Sequence, residues 1–120
     1  MSQLTLSLLR AADARSLARA RRANWRCLQA MLAPFAAWRG APGPAPFGYV
    51  VRVPDAGRTQ AQLAAQGVFA QRHWARLPSP PRRFPDAHRL ARQLLTLPCD
   101  HRYDARAMRA VARVVRKCLT

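Results

Sequence analysis

Cys99 and His101 place a thiol and an imidazole two positions apart, and a thiolate with a neighbouring imidazole is a nucleophile. Residues two apart on an extended chain share a face without being oriented as nucleophile and base, and no third group is specified, so a structural role is expected for both. Between and after them, Asp100 and Arg102 can pair and order the approach to a helix beyond Tyr103. Arg15, Arg19, Arg22 and Arg26 fall at i, i+4, i+7 and i+11, a spacing that aligns guanidinium groups along one helical stripe as a nucleic-acid-binding face requires. A solvated or interdomain face is the plainer alternative, and no helix-turn-helix, zinc, RNP or KH pattern accompanies the stripe. Arg82 and Arg83, beside Phe84 in a proline-rich stretch, suit an anion or simply water. Lys117, flanked by Arg116 and Cys118, is the only lysine.

These residues belong to a chain of 120 residues with 21 basic and 5 acidic side chains, a formal net charge of +16. The length fits one domain, 1–120, divided into a long helix over 7–38 and a small α+β body over 47–120. A charge of this size ordinarily points to nucleic acid or an anionic membrane. Here glutamate and isoleucine are absent and arginine, alanine and proline abound, the mark of a GC-rich coding background, which weakens charge as evidence. No run of about twenty apolar residues is present, and the first ten residues lack a basic front end and a small-residue cleavage site. A cytoplasmic protein with no membrane partner is expected. Cys27, Cys99 and Cys118 are odd in number and widely spaced, so neither a disulfide framework nor a zinc site is expected, only reduced, partly buried thiols.

The elements that position these side chains follow from periodicity. From Ser7 to about Ala37 the chain favours helix, with Leu17, Leu28, Leu32 and Phe35 near one stripe, Trp25 beside it and a turn possible at Asp13. Gly40, Pro42, Gly43, Pro44 and Pro46 end it. Phe47 to Val53 alternates as a strand, and Pro54-Asp55-Ala56-Gly57 stops it. Arg58 to Gln66 reads as a short helix closed by Gly67 in the left-handed conformation. Val68 to Ala70 reads as a second strand. Pro78, Pro80, Pro81 and Pro85 make an extended loop, Asp86 is a candidate cap for a helix to about Gln93, and Leu94 to Leu97 reads as a third strand. Asp104 caps a last helix whose Met108, Val111, Val115 and Cys118 face inward. The result is an α+β fold: a small three-stranded sheet packed by helices, with a long N-terminal helix.

Several spaced motifs resemble one family. His73-Trp74, Leu77-Pro78, Phe84-Pro85 and Leu97-Pro98-Cys99-Asp100-His101-Arg102-Tyr103, followed by the stripe from Met108, resemble the carboxyl-terminal HW…LP…FP…LP-x-D-x-RY series of the PLP-dependent nucleotide-sugar aminotransferases of the DegT/DnrJ/StrS type. Arg21-Arg22-Ala23-Asn24-Trp25 is similar to the family's RR-x-N-aromatic segment, Phe47-Gly48-Tyr49 to its PFGYP strand entry, and Arg58 to Val68 to its R-x-x-x-x-x-L-x-x-x-G-[IV] helix and turn.

The resemblance implies the small domain of a fold-type-I aminotransferase, usually a dimer, that moves an amino group from an amino acid to a keto-sugar nucleotide. In such enzymes PLP is held by a large-domain lysine with an acidic partner at the pyridine nitrogen. Neither motif is present in this sequence, and Lys117 sits in no comparable segment. The chain is therefore expected to bind no cofactor and to be inert alone, with no catalytic residue and no metal ligand of its own. It would be a stand-alone or truncated domain, or a subunit whose partner is a large aminotransferase domain or a second copy. His73 and Trp74 are the residues the resemblance places at the substrate rim, the imidazole for a sugar hydroxyl or phosphate and the indole for a sugar face. A basic nucleic-acid-binding module on Arg15, Arg19, Arg22 and Arg26 is the alternative.

Overall fold

The computed structural model describes residues 2–120. Helices α1 (Gln3–Ala11) and α2 (Ala14–Leu32) come first, followed by a 3-10 turn at Ala33–Phe35. Strand β1 (Gly48–Arg52), helices α3 (Ala56–Ala65) and α4 (Pro85–Gln93), strand β2 (Leu94–Pro98) and helix α5 (Ala105–Leu119) complete the chain. The single helix expected over 7–38 is thus two helices that begin earlier and end sooner. Asp13 makes the break: its carboxylate accepts from the Ser16 N–H at 3.0 Å and caps α2, so the backbone leaves helical geometry there. Asp55 and Asp104 cap α3 and α5 in the same way. Asp86 does not cap α4; Pro85 begins that helix and Asp86 pairs with Arg89 one turn on, at 2.9 Å.

The α+β class holds, but the sheet has two strands where three were expected. β1 and β2 run antiparallel, with Gly48 opposite Pro98 and Arg52 opposite Leu94. The expected strand at Val68 to Ala70 is extended and alternates in burial, yet it makes no ladder; only Gln71 pairs, exchanging both backbone hydrogen bonds with Thr96 at 2.8 and 2.9 Å. Two residues further along this register, Phe69 falls opposite Pro98, which has no N–H to give, so the ladder cannot extend. A Cβ at Gly48 would collide with the Thr96 methyl and fall 2.9 Å from the Leu97 carbonyl oxygen, so glycine is needed there. Gly67, at φ 77°, turns the chain out of α3 in the left-handed conformation anticipated for it.

One face of the sheet is covered by helices. Trp25, Leu28 and Leu32 of α2, Leu63 of α3, and Met108, Ala112 and Val115 of α5 pack with Tyr49, Val51, Leu95, Leu97 and Cys99. The Trp25 and Tyr49 rings meet edge to face at 5.3 Å, and the Tyr49 hydroxyl donates to Gln29 Oε1 at 2.9 Å. Buried Asn24 donates through Nδ2 to the carbonyls of Asp100 and Tyr103, both at 2.8 Å, and so ties α2 to the turn that launches α5. Among the described residues no helix is long and apolar enough to cross a membrane.

Candidate functional site

The sheet's other face opens into a cleft of about 460 Å3. Its floor is Thr96, Leu97, Pro98 and Cys99 of β2 and the residue after it; Phe47 and Phe69 stand at its walls, 72% and 75% exposed. Arg21, Gln71, Asp100, His101 and Arg102 supply its polar lining. Exposed aromatic rings cost hydration without return unless something covers them, which makes this cleft a candidate ligand surface.

Backbone interactions hold the rim. Arg21 donates from Nε to the Pro46 carbonyl at 2.8 Å and from Nη2 to the Phe47 carbonyl at 2.7 Å, so the guanidinium fixes the segment that carries Phe47. At the far end Asp100 accepts from the Arg102 backbone N–H, from Nε and from Nη2, at 3.0, 3.0 and 2.9 Å. That bidentate grip holds the Asp100 carboxyl down to about 2, the Arg102 hydrogen bonds being the main cause. Asp100 is thereby committed as an anion to shaping the turn before α5.

His73 and Trp74 lie behind this rim. The His73 ring is half-buried, its Nδ1 is 3.0 Å from Thr96 Oγ1, and its plane meets Phe47 and Trp74 edge to face at 5.5 and 5.3 Å. His73 thus reaches the cleft through Thr96 and Phe47, while Trp74 is 65% exposed beside it. Cys99 is fully buried with Sγ 3.6 Å from the Pro46 carbonyl oxygen, and burial pushes its thiol pKa up. A buried thiol kept protonated is no nucleophile, and His101 is exposed on the turn beyond it.

The remaining candidates are scattered. Arg82 and Arg83 are exposed in the turn before α4, the latter 6.0 Å above the Phe84 ring, and neither lines the cleft. Arg15 and Arg19, with Arg22, border a separate recess between α2 and Pro44-Ala45. Arg22 is half-buried and its Nη1 donates to the Pro44 carbonyl, so one member of the stripe is partly spent on structure. Lys117 is exposed in a shallow recess with Gln62, Ala65, Gln66, Val114 and Cys118. That recess has no carboxylate for a pyridine nitrogen and no ring to stack on it, so these residues do not fit PLP.

Sequence reasoning did not single out Arg21, Phe69, Gln71 or Thr96 as site residues. The signal for Phe69 was available: in an alternating segment it points away from Val68 and Ala70, which are buried. Arg21 and Gln71 act through backbone carbonyls and a one-pair bridge, which no local pattern announces.

Neither a family model nor a curated protein sequence matches the chain. Solved structures do. A DegT DnrJ EryC1 StrS aminotransferase from Brucella abortus superposes with a TM-score of 0.71 at 16% identity, over 86% of this chain and 31% of that one. A Streptococcus pneumoniae protein assigned as a sugar aminotransferase superposes in its PMP form with a TM-score of 0.73 at 14% identity, over 86% and 31% of the two chains. In its PLP form the values are 0.69, 18%, 88% and 33%. The chain therefore shares its fold with part of the sugar aminotransferases, and it spans about a third of their length.

Proposed function

We propose that the chain is the small-domain module of a DegT/DnrJ-type sugar aminotransferase, a single cytoplasmic domain that forms one wall of a substrate cleft and leaves the Schiff-base chemistry to a lysine elsewhere. The observation that carries this reading is the extent of the match: nearly all of this chain corresponds to about a third of the neighbours. The Streptococcus pneumoniae neighbour is known in PLP and PMP forms, whereas the one lysine here lies in a recess unsuited to PLP. In this reading the cofactor supplies the electron sink of transamination from the larger part of the enzyme, a large domain or partner chain.

What this chain's own residues contribute is a surface. Phe47 and Phe69 offer rings to a sugar face, with Trp74 next to the rim, and Thr96, held by His73, presents a hydroxyl between them. His101 and Arg102, the latter clasped by Asp100, put N–H donors at the end of the cleft, where the phosphate of a nucleotide sugar would gain most. Arg82 and Arg83 serve as a more distant basic loop. The exposed leucines of α1, Leu4, Leu8 and Leu9, support a missing neighbour, because that helix buries none of its residues.

Titration of the purified chain with PLP tests the assignment of roles. The expected spectrum is that of free cofactor. A new aldimine absorbance that disappears in Lys117→Ala would overturn the proposal that the chemistry resides elsewhere.

A further inference from the structure

All five acidic residues are committed locally. Asp13, Asp55 and Asp104 accept from backbone N–H groups as helix caps, Asp86 pairs with Arg89, and Asp100 with Arg102. Nothing acidic is therefore left to neutralise the solvent side of α2 and α5. On α5, Arg106, Arg109, Arg113 and Arg116 recur at three and four residues and are all exposed; on α2, Arg15, Arg19 and Arg26 are exposed and Arg22 partly so. These two helices pack alongside each other, and Cys27 Sγ, next to the last arginine of the α2 row, lies 3.9 Å from the Ala105 carbonyl oxygen, next to the first of the α5 row. At 1.5 Å of rise per residue each row runs roughly 15 Å. A coding bias explains why these residues are arginine. It does not explain why both rows lack a single carboxylate.

We propose that the solvent side of α2 and α5 is a track for the phosphate backbone of a nucleic-acid duplex, bound without regard to sequence. Each row spans roughly half of a duplex turn of about 34 Å, and its guanidinium groups repeat once per helical turn. Between the arginines stand Ala23, Ala30 and Ala110. None of the large exposed apolar residues lies within α2 or α5: Leu4, Leu8 and Leu9 are on α1, Phe47 and Phe69 at the cleft, and Trp38, Trp74, Phe84, Leu90 and Tyr103 in other segments. A protein partner would need apolar anchors among the charges, and a membrane surface an apolar face alongside them. Arginine reads guanine edges as well as phosphates, but the exposed alanines beside these arginines carry no hydrogen-bonding group for a base. The track is independent of the aminotransferase cleft, which uses the opposite face of the sheet.

Fluorescence anisotropy of a labelled random-sequence DNA duplex of about 20 base pairs, titrated with the full chain across a salt series, tests this. Binding is expected with a log-log salt slope of about −4 to −6, at −0.9 per phosphate contact. Replacing Arg106, Arg109, Arg113 and Arg116 together by Gln is expected to weaken binding about tenfold or more and to flatten the slope by three to four contacts' worth, about 3. The same change of net charge at Arg52, Arg58, Arg76 and Arg92 is expected to alter affinity by less than about threefold. Circular-dichroism melts of both variants establish that each is folded, and the paired sets separate a track from bulk charge. No binding at about 50 mM salt, equal loss in both sets, equal competition by polyglutamate, or tighter binding to phosphatidylserine vesicles than to the duplex would each overturn the proposal.

Discussion

Helices α1 and α2 are both rich in leucine and are separated only by Ala12 and Asp13, yet they have opposite fates. In α2, Leu28 and Leu32 are fully buried and Trp25 is 7% exposed; in α1, Leu4, Leu8 and Leu9 are 70%, 63% and 61% exposed. α1 is the richer in leucine, four of its 9 residues against three of the 19 in α2, so composition does not decide. The α2 residues sit at the spacing that faces β1, β2 and α5, and Asn24 locks that face in place through two carbonyls. Among the described residues, α1 buries none of its own. A leucine stabilises a fold only when the chain supplies atoms to surround it.

The sharpest way to break this contrast is Leu28→Ala. Leu28 lies at the junction of the sheet and two helices with no exposed surface, and its truncation is expected to cost about 2–5 kcal/mol, read as a lower urea midpoint at unchanged slope. A loss below about 1 kcal/mol would mean that α2 is not docked as described.

The Asp100–Arg102 clasp at the end of the core gives a smaller, pH-dependent effect. The folded carboxyl titrates at about 2, below the ordinary unfolded value near 3.9. A depressed carboxyl stabilises the fold fully above the unfolded value, and this contribution disappears as pH falls from about 5 through 2. The shift corresponds to about 2.5 kcal/mol, and since Arg102 is 73% exposed, solvent screening brings the expected loss nearer 1 kcal/mol. Denaturation curves between pH 6 and about 2.5 measure it, and Asp100→Asn is expected to remove that part of the slope. An unchanged slope in the variant would assign the acid sensitivity to the helix-capping aspartates.

How much was readable in advance follows the same division. The alternation of Tyr49, Val51 and Val53, the Met108 to Val115 stripe, the Asp104 cap and the left-handed Gly67 all depend on neighbours close in sequence, and all are where the pattern puts them. The expected second strand, Val68 to Ala70, failed because a ladder needs a donor on the facing strand, and Pro98 is 29 residues from Phe69. The cleft was legible only at its edge. His73 and Trp74 stand out as a dipeptide, but the Thr96 contact and the Arg21 clasp on Pro46 and Phe47 arise from segments that meet only after folding. The expectation for Asp86 went wrong for a local reason: a proline at the first helical position needs no side-chain cap, and the carboxylate was free to take Arg89 instead.

Leu8→Ser gives the smallest expected effect and returns to α1. A serine in place of a 63% exposed leucine removes almost no buried contact, so the monomer's unfolding free energy is expected to change by no more than about 0.5 kcal/mol. Its consequence for association is of a different order, since Leu4 and Leu8 stand one turn apart on a helix that buries nothing. Light scattering of the concentrated variant should show less self-association than the parent if these leucines are waiting for the rest of an aminotransferase-like body. A destabilisation near that of Leu28→Ala would mean instead that α1 folds back onto the domain, and the difference between the two helices would vanish.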